Sequence, residues 1–493
     1  MNLKDILDGI EYKCRGELDG IWVESVTCDK NKIGQNTLFV LVKGINFDTE
    51  KIIEYIIAKR PCAIVCDRDR KIDCDIPTIR VDDARRALAY LCSCFFGVDY
   101  SLTKFIGVTG TNGKTTTATM IYEILKHAGY KCGFIGTGKI EYAGVILTEK
   151  TYSMTTPDPE LLYRSISKMQ GEGCEVIVME VSSHALALGK VAPIPFSHSV
   201  FTNLSPEHLD FHGDMECYYK AKLSLFYQSQ NGIFNADDEY SVRAMRECAD
   251  ICNTASIGVL WDADAMARDL ITYDLSGSSY IYREANLIFK VKLTPPGYYN
   301  IYNSMLALKC AISFGVKPYI AKEAINAIDG IDGRLEVVHD DITVIIDYAH
   351  TEKAFENVLK TVNSGKRMKQ RLITVFGCGG DRDRTKRPRM AAVAEKMSDL
   401  VIVTQDNPRT ENESEIISDI LEGFTVAEKR RVITSRRSAI TNAIMSADDG
   451  DVVIVLGKGH ERYNIDKNGY HDYDERLIIK EALEKRRDTR VKR

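Results

Sequence analysis

Short apolar runs rich in valine and isoleucine recur along most of the 493-residue chain, separated by polar and glycine-rich stretches. Such runs are typical of buried β-strands, and the longer mixed segments between them are typical of helices. Strands that alternate with helices predict a mostly parallel sheet covered by helices on both faces. The pattern therefore predicts a protein of the α/β class.

The predicted elements fall into three blocks, which we interpret as domains spanning residues 1–98, 99–332 and 333–493. In the first block we predict a turn and strand at 36–44, a helix at 51–59 and a strand at 63–66. In the second we predict a helix at 114–128 and strands at 105–108, 131–135, 176–180 and 199–203. In the third we predict strands at 344–347, 372–376, 400–404 and 452–456. Open α/β sheets bind ligands at the carboxyl ends of their strands, so the segments that follow these strands are the candidates for function.

The composition excludes several classes of protein. Lys and Arg number 65 against 70 Asp and Glu, and the net charge of −5 argues against a mainly electrostatic nucleic-acid binder. No apolar run reaches the roughly 18–20 residues of a membrane span, and the first residues lack the apolar core of a signal peptide. We expect a cytoplasmic protein that acts on small molecules, and we take it to be a monomer.

The fourteen cysteines fit a reducing compartment, because their spacing shows no disulfide framework. Two local pairs, Cys92 with Cys94 and Cys248 with Cys252, lack the second half of a zinc site. We interpret them as structural thiols rather than metal ligands.

A glycine-rich segment at 107–115, GVTGTNGKT, follows the first predicted strand of the second block and opens a predicted helix. Glycines let backbone N–H groups surround an anion, and the amino end of the helix adds its positive dipole. Lys114 is placed to reach the β- and γ-phosphates, and the Thr115 hydroxyl to bind Mg²⁺. The motif is incomplete, since Val108 stands at its first glycine position. The alternative is a turn that binds nothing; the Lys-Thr pair favours ATP or GTP.

Acidic and imidazole side chains follow two further strands of the same block. Glu180 ends one strand and is followed at once by a Ser-Ser-His segment, and His208 follows the next strand. A carboxylate at the carboxyl edge of a sheet, beside a phosphate loop, is a typical Mg²⁺ ligand. Neither histidine has partners at zinc-site spacing, so a magnesium–nucleotide site is favoured.

Three segments together resemble the Mur ligases, which use ATP to form amide bonds in the synthesis of peptidoglycan precursors. They are GTNGKT at 110–115, MEVSSHAL at 179–186 and TNLSPEHLDFHG at 202–213. The resemblance covers nearly the whole chain and is weaker before residue 105. It implies three α/β domains: a first that binds a UDP-sugar, a central one with the parallel sheet of a P-loop ATPase, and a Rossmann-like third that brings the incoming amino acid.

The resemblance implies a reaction in which ATP, with Mg²⁺, activates a carboxylate as an acyl phosphate that an amine then attacks. The chain is most similar to the members that add the third peptide residue to UDP-N-acetylmuramoyl-L-alanyl-D-glutamate. The matching residues imply catalytic roles for Lys114, Glu180, His208 and Lys222, a carbamylated Lys222, and a metal site of Thr115, Glu180, His208 and Lys222. The implied nucleotide-binding residues are Gly110, Thr111, Asn112, Gly113, Lys114, Thr115, Thr116, Asn300, Arg334 and Asp347.

The added amino acid is indicated by the segment Asp406-Asn407-Pro408-Arg409, which resembles the tetrad of the members that add meso-diaminopimelate. A guanidinium offers two parallel donors to a carboxylate, so Arg409 suits the second carboxyl end of that amino acid. The resemblance implies an amino-acid site of Arg382, Asp406, Asn407, Pro408, Arg409, Gly457 and Glu461. It implies a site for the UDP substrate of Thr155, Thr156, Ser182 and Lys190.

The chain departs from the family pattern where the UDP-sugar and the dipeptide are expected to bind. Asp29-Lys30-Asn31 replaces Asp-Ser-Arg, and Asp48-Thr49-Glu50 replaces Asp-Gly-His. Met154 replaces an asparagine, and Lys190 replaces an arginine. Lys190 keeps the positive charge but lacks the paired donors of a guanidinium. Two interpretations stay open: a ligase with the usual acceptor, or a paralogue that acts on a different carboxylate. A scaffold that binds ATP without catalysis would be expected to lack catalytic residues, whereas Lys114, Glu180, His208 and Lys222 are all present. A P-loop kinase or GTPase would leave the third block without a role.

Overall fold

The structure is a computed structural model that describes residues 1–43, 50–148, 154–272, 275–367 and 369–491. The chain divides into two compact units, Met1–Ser256 and Ile257–Arg493. Within the described residues, no helix is long and apolar enough to cross a membrane. All fourteen cysteines are free, and Cys92, Cys248 and Cys252 are buried in the core of the first unit.

The first unit begins with a five-stranded sheet that is parallel except for its first pair. Its strands, in sheet order, are Lys13–Arg15, Thr78–Val81, Ala63–Asp67, Thr37–Val40 and Ser25–Thr27. The accompanying helices are Leu3–Ile6, Glu50–Ala58 and Ala84–Phe95, with a 3₁₀ turn at Lys30–Lys32. Side chains of successive strand residues point to opposite faces of the sheet. Those on one face pack on the apolar side of the helix Ala84–Phe95.

A second sheet of the first unit carries the phosphate loop. Its central strand, Lys104–Thr109, is buried at five successive positions, as expected for a parallel strand covered on both faces. In sheet order the strands are Ser229–Asn235, Phe196–Phe201, Lys104–Thr109, Val176–Glu180, Cys132–Gly136, Lys139–Tyr142 and Val145–Thr148, the last two antiparallel additions. The helices are Lys114–His127, Pro159–Gly171, Ser183–Ala187, Leu209–His212, Met215–Leu223 and Glu239–Glu247, with a 3₁₀ turn at Phe226–Gln228.

The second unit contains an antiparallel ribbon and a doubly wound sheet. The strand Asn253–Gly258 spans the division of the chain, and its last two residues pair with the start of the ribbon. The ribbon strands are Ala265–Thr272, Ser278–Glu284 and Leu287–Leu293, followed by the helices Tyr298–Phe314 and Pro318–Asn326.

The doubly wound sheet has six strands, of which only the first pair is antiparallel. In sheet order they are Glu336–His339, Thr343–Asp347, Val452–Leu456, Leu372–Phe376, Leu400–Val403 and Arg430–Val432. Separate apolar cores lie on its two faces. One core is formed with the helices Glu352–Gly365, Lys386–Met397 and Glu413–Leu421, and the other with Arg436–Ser446 and Glu475–Val491. A hairpin, Tyr463–Asp466 with Gly469–Asp472, and a 3₁₀ turn, Ala427–Lys429, complete the unit.

The predicted α/β class is confirmed, and most predicted strands are present. The strands predicted at 176–180, 372–376 and 452–456 have the predicted bounds. The strand predicted at 199–203 instead spans Phe196–Phe201, because the polar residues before its apolar end also join the ladder. The end of the segment predicted at 36–44 lies outside the described residues. The three domain ranges stay a prediction.

Candidate functional site

The phosphate loop joins the strand Lys104–Thr109 to the helix Lys114–His127. Gly113, which caps that helix, has a φ of 86°, a left-handed conformation that favours glycine. Gly110 has a φ of 146°, and a Cβ there would collide with the Thr202 hydroxyl. The glycines of the motif are therefore required by the backbone, and the loop ends on the amino terminus of a 14-residue helix, a natural site for an anion.

The segment that follows the neighbouring strand holds this loop in place. Thr111 N–H donates to the Asn203 carbonyl at 2.9 Å, and Asn112 N–H donates to Asn203 Oδ1 at 3.1 Å. The Thr202 hydroxyl and Asn203 Nδ2 both donate to the Asn112 carbonyl, at 2.6 and 3.0 Å. Thr116, the remaining predicted loop contact, is buried in the first turn of the helix. Two motifs that are 90 residues apart in sequence thus form one rigid loop.

Glu180 is fully buried beside the phosphate loop. The Thr115 hydroxyl donates to Glu180 Oε2 at 2.9 Å. Thr137 contributes two more bonds, from its N–H to Oε1 at 2.8 Å and from its hydroxyl to Oε2 at 3.2 Å. The structure therefore brings together the hydroxyl and the carboxylate that the sequence assigns to a metal. Thr137, which the sequence analysis did not identify, orients the carboxylate.

Two lysines converge on the loop carbonyl of Gly110. Lys114 Nζ donates to it at 3.0 Å and to the Thr111 carbonyl at 2.8 Å, and Lys222 Nζ donates to it at 2.8 Å. Lys222 is 1% exposed and lies over the Tyr218 ring. Burial, together with the charge of Lys114, lowers the pKa of the Lys222 ammonium well below its usual value. Lys222 is therefore not an exposed helical lysine, whereas Lys220 on the same helix is exposed.

Three histidines cluster next to Lys222. The His184 ring lies edge-on to the His208 ring at 4.6 Å, and its centroid is 5.5 Å from that of His212. His212 Nε2 is 3.0 Å from the Ser183 hydroxyl. Burial and the neighbouring histidine lower the pKa of His184 and of His212 to about 4, so both rings are neutral near pH 7. His208 adopts a left-handed conformation with φ 55° before the short helix Leu209–His212.

The residues predicted for the UDP substrate surround the end of the strand Val176–Glu180. The Thr156 hydroxyl donates to the Glu180 carbonyl at 3.0 Å and accepts from Ser182 N–H at 3.0 Å. Thr155 contacts the Thr137 hydroxyl at 3.2 Å. Lys190, whose side chain is 13% exposed, pairs with Asp158 at 2.7 Å. Thr155, Thr156 and Ser182 are therefore linked to the phosphate loop through Glu180 and its neighbours.

In the second unit, the nucleotide-binding residues expected from the sequence lie at two places. Asn300 is buried at the start of the helix Tyr298–Phe314, where its Nδ2 donates to the Pro296 carbonyl at 2.7 Å. Arg334 lies over the Tyr348 ring at 4.6 Å. Asp347 accepts from the N–H groups of Leu335 and Ala349, both at 2.7 Å. Burial raises the pKa of Asp347, against the opposing charge of Arg334.

The residues predicted for the amino acid converge at the carboxyl edge of the six-stranded sheet. Asn407 Nδ2 donates to Glu461 Oε2 at 2.8 Å, and Asn407 N–H donates to Asp406 Oδ1 at 2.6 Å. Gly457 has a φ of 115°, a conformation that favours glycine, and a Cβ there would lie 2.6 Å from Asp406 Oδ2. Burial raises the pKa of Glu461, with the charge of Lys458 opposing it. For Asp406, the cations Lys458 and Arg436 outweigh burial, and its pKa is lowered.

Arg409 and Arg382 border this cluster. Arg409, with φ 53°, donates from Nη1 to the Gly380 carbonyl at 2.8 Å, and its N–H donates to the Ile465 carbonyl. The segment that carries Arg382 is held by a fully buried cation, Arg387, which pairs with Glu411 and Asp419 and donates to the Gly379 carbonyl. Arg382 itself is exposed. Pro408 supplies a backbone carbonyl that accepts from Glu411 N–H. The structure thus places Arg409 near the acidic pair, while the amino-acid role of Arg382 stays a prediction.

Two more buried cations of this region, besides Arg387, were not predicted from the sequence. Lys458 is fully buried among Asp406, Asn407 and Glu461. Arg436 is fully buried against Glu475 and donates to the Leu456 carbonyl at 2.8 Å. The signal for Lys458 was present, since it is the lysine of the Gly-Lys-Gly-His-Glu segment. Arg436 begins an ordinary helix and carries no motif.

Among the residues the structure describes, the donors near the phosphate loop fit a magnesium ion. Thr115 and Glu180 provide hard oxygen atoms that already lie 2.9 Å apart. Mg²⁺ in nucleotide sites is typically held by one or two carboxylates together with phosphate oxygens and water. As an ammonium, Lys222 has no lone pair to offer a metal, whereas a carbamate on the same nitrogen would supply oxygen ligands.

The parallel sheet with its phosphate loop places the chain in the class of P-loop α/β proteins. Two family models match it: the Mur ligase middle domain over residues 108–311, and the Mur ligase, glutamate ligase domain over residues 333–459. The chain is 40% identical to the UDP-N-acetylmuramoyl-L-alanyl-D-glutamate–2,6-diaminopimelate ligase of Clostridioides difficile, with 98% of this chain and all of that protein covered. The chain therefore belongs to the Mur ligase family.

Solved structures agree with this assignment. A UDP-N-acetylmuramoyl-L-alanyl-D-glutamate–2,6-diaminopimelate ligase superposes with a TM-score of 0.66 at 28% identity, over 96% of this chain and 98% of the other. The MurF ligase of Thermotoga maritima in complex with ADP superposes with a TM-score of 0.61 at 18% identity, over 96% and 99%. The predicted Mur ligase architecture is confirmed.

Proposed function

We propose that this chain is the ligase that adds diaminopimelate to UDP-N-acetylmuramoyl-L-alanyl-D-glutamate, with ATP as the energy source, in the synthesis of peptidoglycan precursors. Membership of the Mur ligase family supports the ATP-dependent formation of an amide bond. The relative from Clostridioides difficile, which carries the name of this activity, matches over its full length. We propose that it acts in the cytoplasm and as a monomer.

The reaction requires two anions, the ATP phosphates and the acceptor carboxylate, to approach each other. The carboxylate oxygen attacks the γ-phosphorus, ADP leaves, and an acyl phosphate forms; the amine then attacks the acyl carbon and expels phosphate. We assign Lys114 and the loop N–H groups to hold the phosphates, where their positive charge offsets the repulsion. Thr115 and Glu180 would hold Mg²⁺, which neutralises the phosphate charge when bound.

We assign Lys222 to the same centre as a carbamate. Burial lowers the pKa of the Lys222 ammonium, which favours the nucleophilic amine, and that amine can add to carbon dioxide with loss of one proton. The product carries a negative charge where an ammonium stood. It would supply an oxygen ligand next to the loop, and its loss of positive charge would remove the repulsion between Lys222 and Lys114.

One observation carries the choice of amino acid: Asn407 joins the Asp-Asn-Pro-Arg tetrad to Glu461 through a buried 2.8 Å hydrogen bond. The carboxylates of Asp406 and Glu461 offer a site for an ammonium, and Arg409 beside them offers a site for a carboxylate. A side chain that ends in both groups, as diaminopimelate does, satisfies both. Lysine would leave Arg409 without its carboxylate.

The test is turnover of the purified chain with ATP, Mg²⁺ and UDP-N-acetylmuramoyl-L-alanyl-D-glutamate. Phosphate release is measured with diaminopimelate, lysine and ornithine in turn, and each product is identified by its mass. Turnover with diaminopimelate alone is expected. Glu180→Gln should abolish turnover, because it weakens the metal site. Glu141→Gln is the matched control and should keep turnover. Glu141 is a buried carboxylate of the same sheet, and in the part of the chain that the structure describes it bonds Tyr122 and Lys139.

A second candidate is a Mur-type ligase for a different carboxylate acceptor. It is favoured by Met154 and Lys190, which differ from the family pattern and lie 3.9 Å apart at the expected acceptor site. In that case, diaminopimelate would support no phosphate release with UDP-N-acetylmuramoyl-L-alanyl-D-glutamate as the acceptor, and ATP would still bind.

A further inference from the structure

Lys458 has no role in the function as assigned above, although it lies at the centre of the amino-acid site. It follows the strand Val452–Leu456 and is fully buried. Its ammonium donates to Asn407 Oδ1 at 2.7 Å and to the Tyr463 carbonyl at 2.9 Å. The same ammonium is 3.7 Å from Asp406 Oδ1 and 3.7 Å from Glu461 Oε2.

The local backbone directs this lysine inward. Gly457 and Gly459, on either side, have φ values of 115° and 53°, conformations that other residues rarely adopt. A Cβ at Gly459 would lie 2.6 Å from Tyr348 Cβ. The Gly-Lys-Gly turn therefore packs closely at both glycines, and it presents the lysine to the acidic pair rather than to solvent.

A buried ammonium next to two buried carboxylates changes the charge of the site. Asp406 and Glu461 alone would carry two negative charges in a region from which water is largely excluded, and like charges there oppose ionisation of both. The positive charge of Lys458 opposes the effect of burial on both carboxyl groups, and Arg436 adds to this at Asp406. With both carboxylates ionised, they and Lys458 carry one net negative charge, which matches one ammonium of a ligand.

We propose that Lys458 is a positioning residue for the incoming amino acid, which holds Asp406 and Glu461 as an ionised pair that accepts the distal ammonium of diaminopimelate. The inference rests on the proposed function. Lys458 touches no substrate in this account; it acts through the two carboxylates and through Asn407, whose Oδ1 also accepts from Ile465 N–H at 2.9 Å.

The test compares wild type with Lys458→Met for two amino acids. One is diaminopimelate, and the other is 2-aminopimelate, which has the reacting amine and both carboxylates but no distal amine. Without the lysine, the carboxylates share a proton and the ammonium loses part of its site. The KM for diaminopimelate is expected to rise about 10- to 100-fold, the range for misplaced binding groups. The KM for ATP and the KM or inhibition constant for 2-aminopimelate should change by less than about 3-fold.

Equal loss for both amino acids would mean that Lys458 has only a structural role, and an unchanged KM for diaminopimelate would also overturn the proposal. Lys429→Met is the control, because Lys429 is half-buried in the same unit and donates to two backbone carbonyls. Should Lys458→Met fail to fold, Lys458→Gln keeps a donor for Asn407 and removes only the charge, and it should give the same selective loss. If wild type itself does not use diaminopimelate, the proposed function fails, whatever Lys458 does.

Discussion

The Lys190 ammonium lies 3.9 Å from the Met154 sulfur and 2.7 Å from the Asp158 carboxylate. Both Met154 and Lys190 differ from the family pattern, and the fold brings them together. A thioether is a weak acceptor, so the charge of Lys190 is balanced by Asp158. The Asp158 side chain is 59% exposed, and exposed ion pairs are weak. A carboxylate of an incoming acceptor could therefore replace Asp158 at little cost.

Lys190→Ala should weaken binding of the UDP-linked acceptor. A charge-assisted hydrogen bond is worth about 1.5–3 kcal/mol, so the KM for UDP-N-acetylmuramoyl-L-alanyl-D-glutamate should rise about 10- to 100-fold. The KM for ATP should stay within about 3-fold. Steady-state kinetics with each substrate varied in turn measures both values.

Two variants sharpen this test. Lys190→Arg restores the residue of the family pattern and should bind the acceptor at least as well as wild type. Lys168→Ala removes an exposed lysine from the neighbouring helix Pro159–Gly171 and should change nothing. An unchanged acceptor KM in Lys190→Ala would remove Lys190 from the acceptor site.

Lys222→Ala should nearly abolish turnover, by at least about 100-fold, because it removes the group that we assign as a carbamate at the metal centre. High bicarbonate cannot restore the missing amine, but a short-chain carboxylic acid that enters the vacated space should restore part of the rate. Phosphate release with and without added acid measures the rescue.

Lys220→Ala is a matched control for Lys222→Ala. The two lysines lie on the same helix, Met215–Leu223, but the Lys220 side chain is 67% exposed and pairs only weakly with Glu216. Lys220→Ala should therefore keep wild-type turnover. Full activity in Lys222→Ala would contradict the assignment, and ¹³C NMR of the folded protein in ¹³C-labelled bicarbonate can detect the carbamate directly.

Much of the sheet that carries the phosphate loop could be predicted from the sequence, because its elements are local. The strand Val176–Glu180 is an apolar run that ends in a carboxylate, and its bounds were predicted. The phosphate loop was predicted because glycines with left-handed φ and a Lys-Thr helix start leave a short motif. The ribbon strands were missed because the prediction relied on continuous apolar runs, whereas Leu287–Leu293 alternates apolar and polar residues, the pattern of a strand with one buried face.

The contacts that complete the sites could not be predicted, because they depend on residues far apart in the chain. Thr137 meets Glu180 across 43 residues, and no motif surrounds it. Lys458 meets Asn407 across 51 residues. In sequence, a lysine between two glycines suggests an exposed turn, and only the packing of the hairpin and the tetrad around it shows that it is buried.

Arg409→Ala should lower the affinity for diaminopimelate more than that for any other substrate. Arg409 Nη1 donates to the Gly380 carbonyl, and the guanidinium lies near Glu461. Its other N–H groups can bind a carboxylate. We expect the KM for diaminopimelate to rise about 10- to 100-fold, since a bond to a charged group is lost. Arg409→Lys should recover only part, because an ammonium cannot form the paired bonds of a guanidinium.

Arg389→Ala provides the comparison for Arg409→Ala. Arg389 is exposed in the same unit, on the helix Lys386–Met397, and bonds its own helix at Thr385. Its loss should leave the KM for diaminopimelate unchanged. If Arg409→Ala has the same KM as this control, the preference for diaminopimelate does not depend on Arg409.

The neutral histidines next to Lys222 should make the fold sensitive to acid. The pKa of His212 falls from 6.5 to about 4, first through burial and then through His184, so the unfolded chain binds more protons between these values. Stability should therefore fall as the pH drops from about 6.5 towards 4 and should be fully present above that window. For this half-buried ring we expect a loss of about 1 kcal/mol, after allowance for solvent screening.

His212→Asn removes the titration and can keep a hydrogen bond to Ser183. Thermal melting in metal-free buffer at pH 7.5, 6, 5 and 4.5 should show a shallower loss of stability for this variant than for wild type. His127→Asn, at an exposed position in the last turn of the helix Lys114–His127, should follow the wild-type curve. Parallel curves for His212→Asn and wild type would show that the burial of His212 does not control the acid response, and the slope would then have to come from other groups.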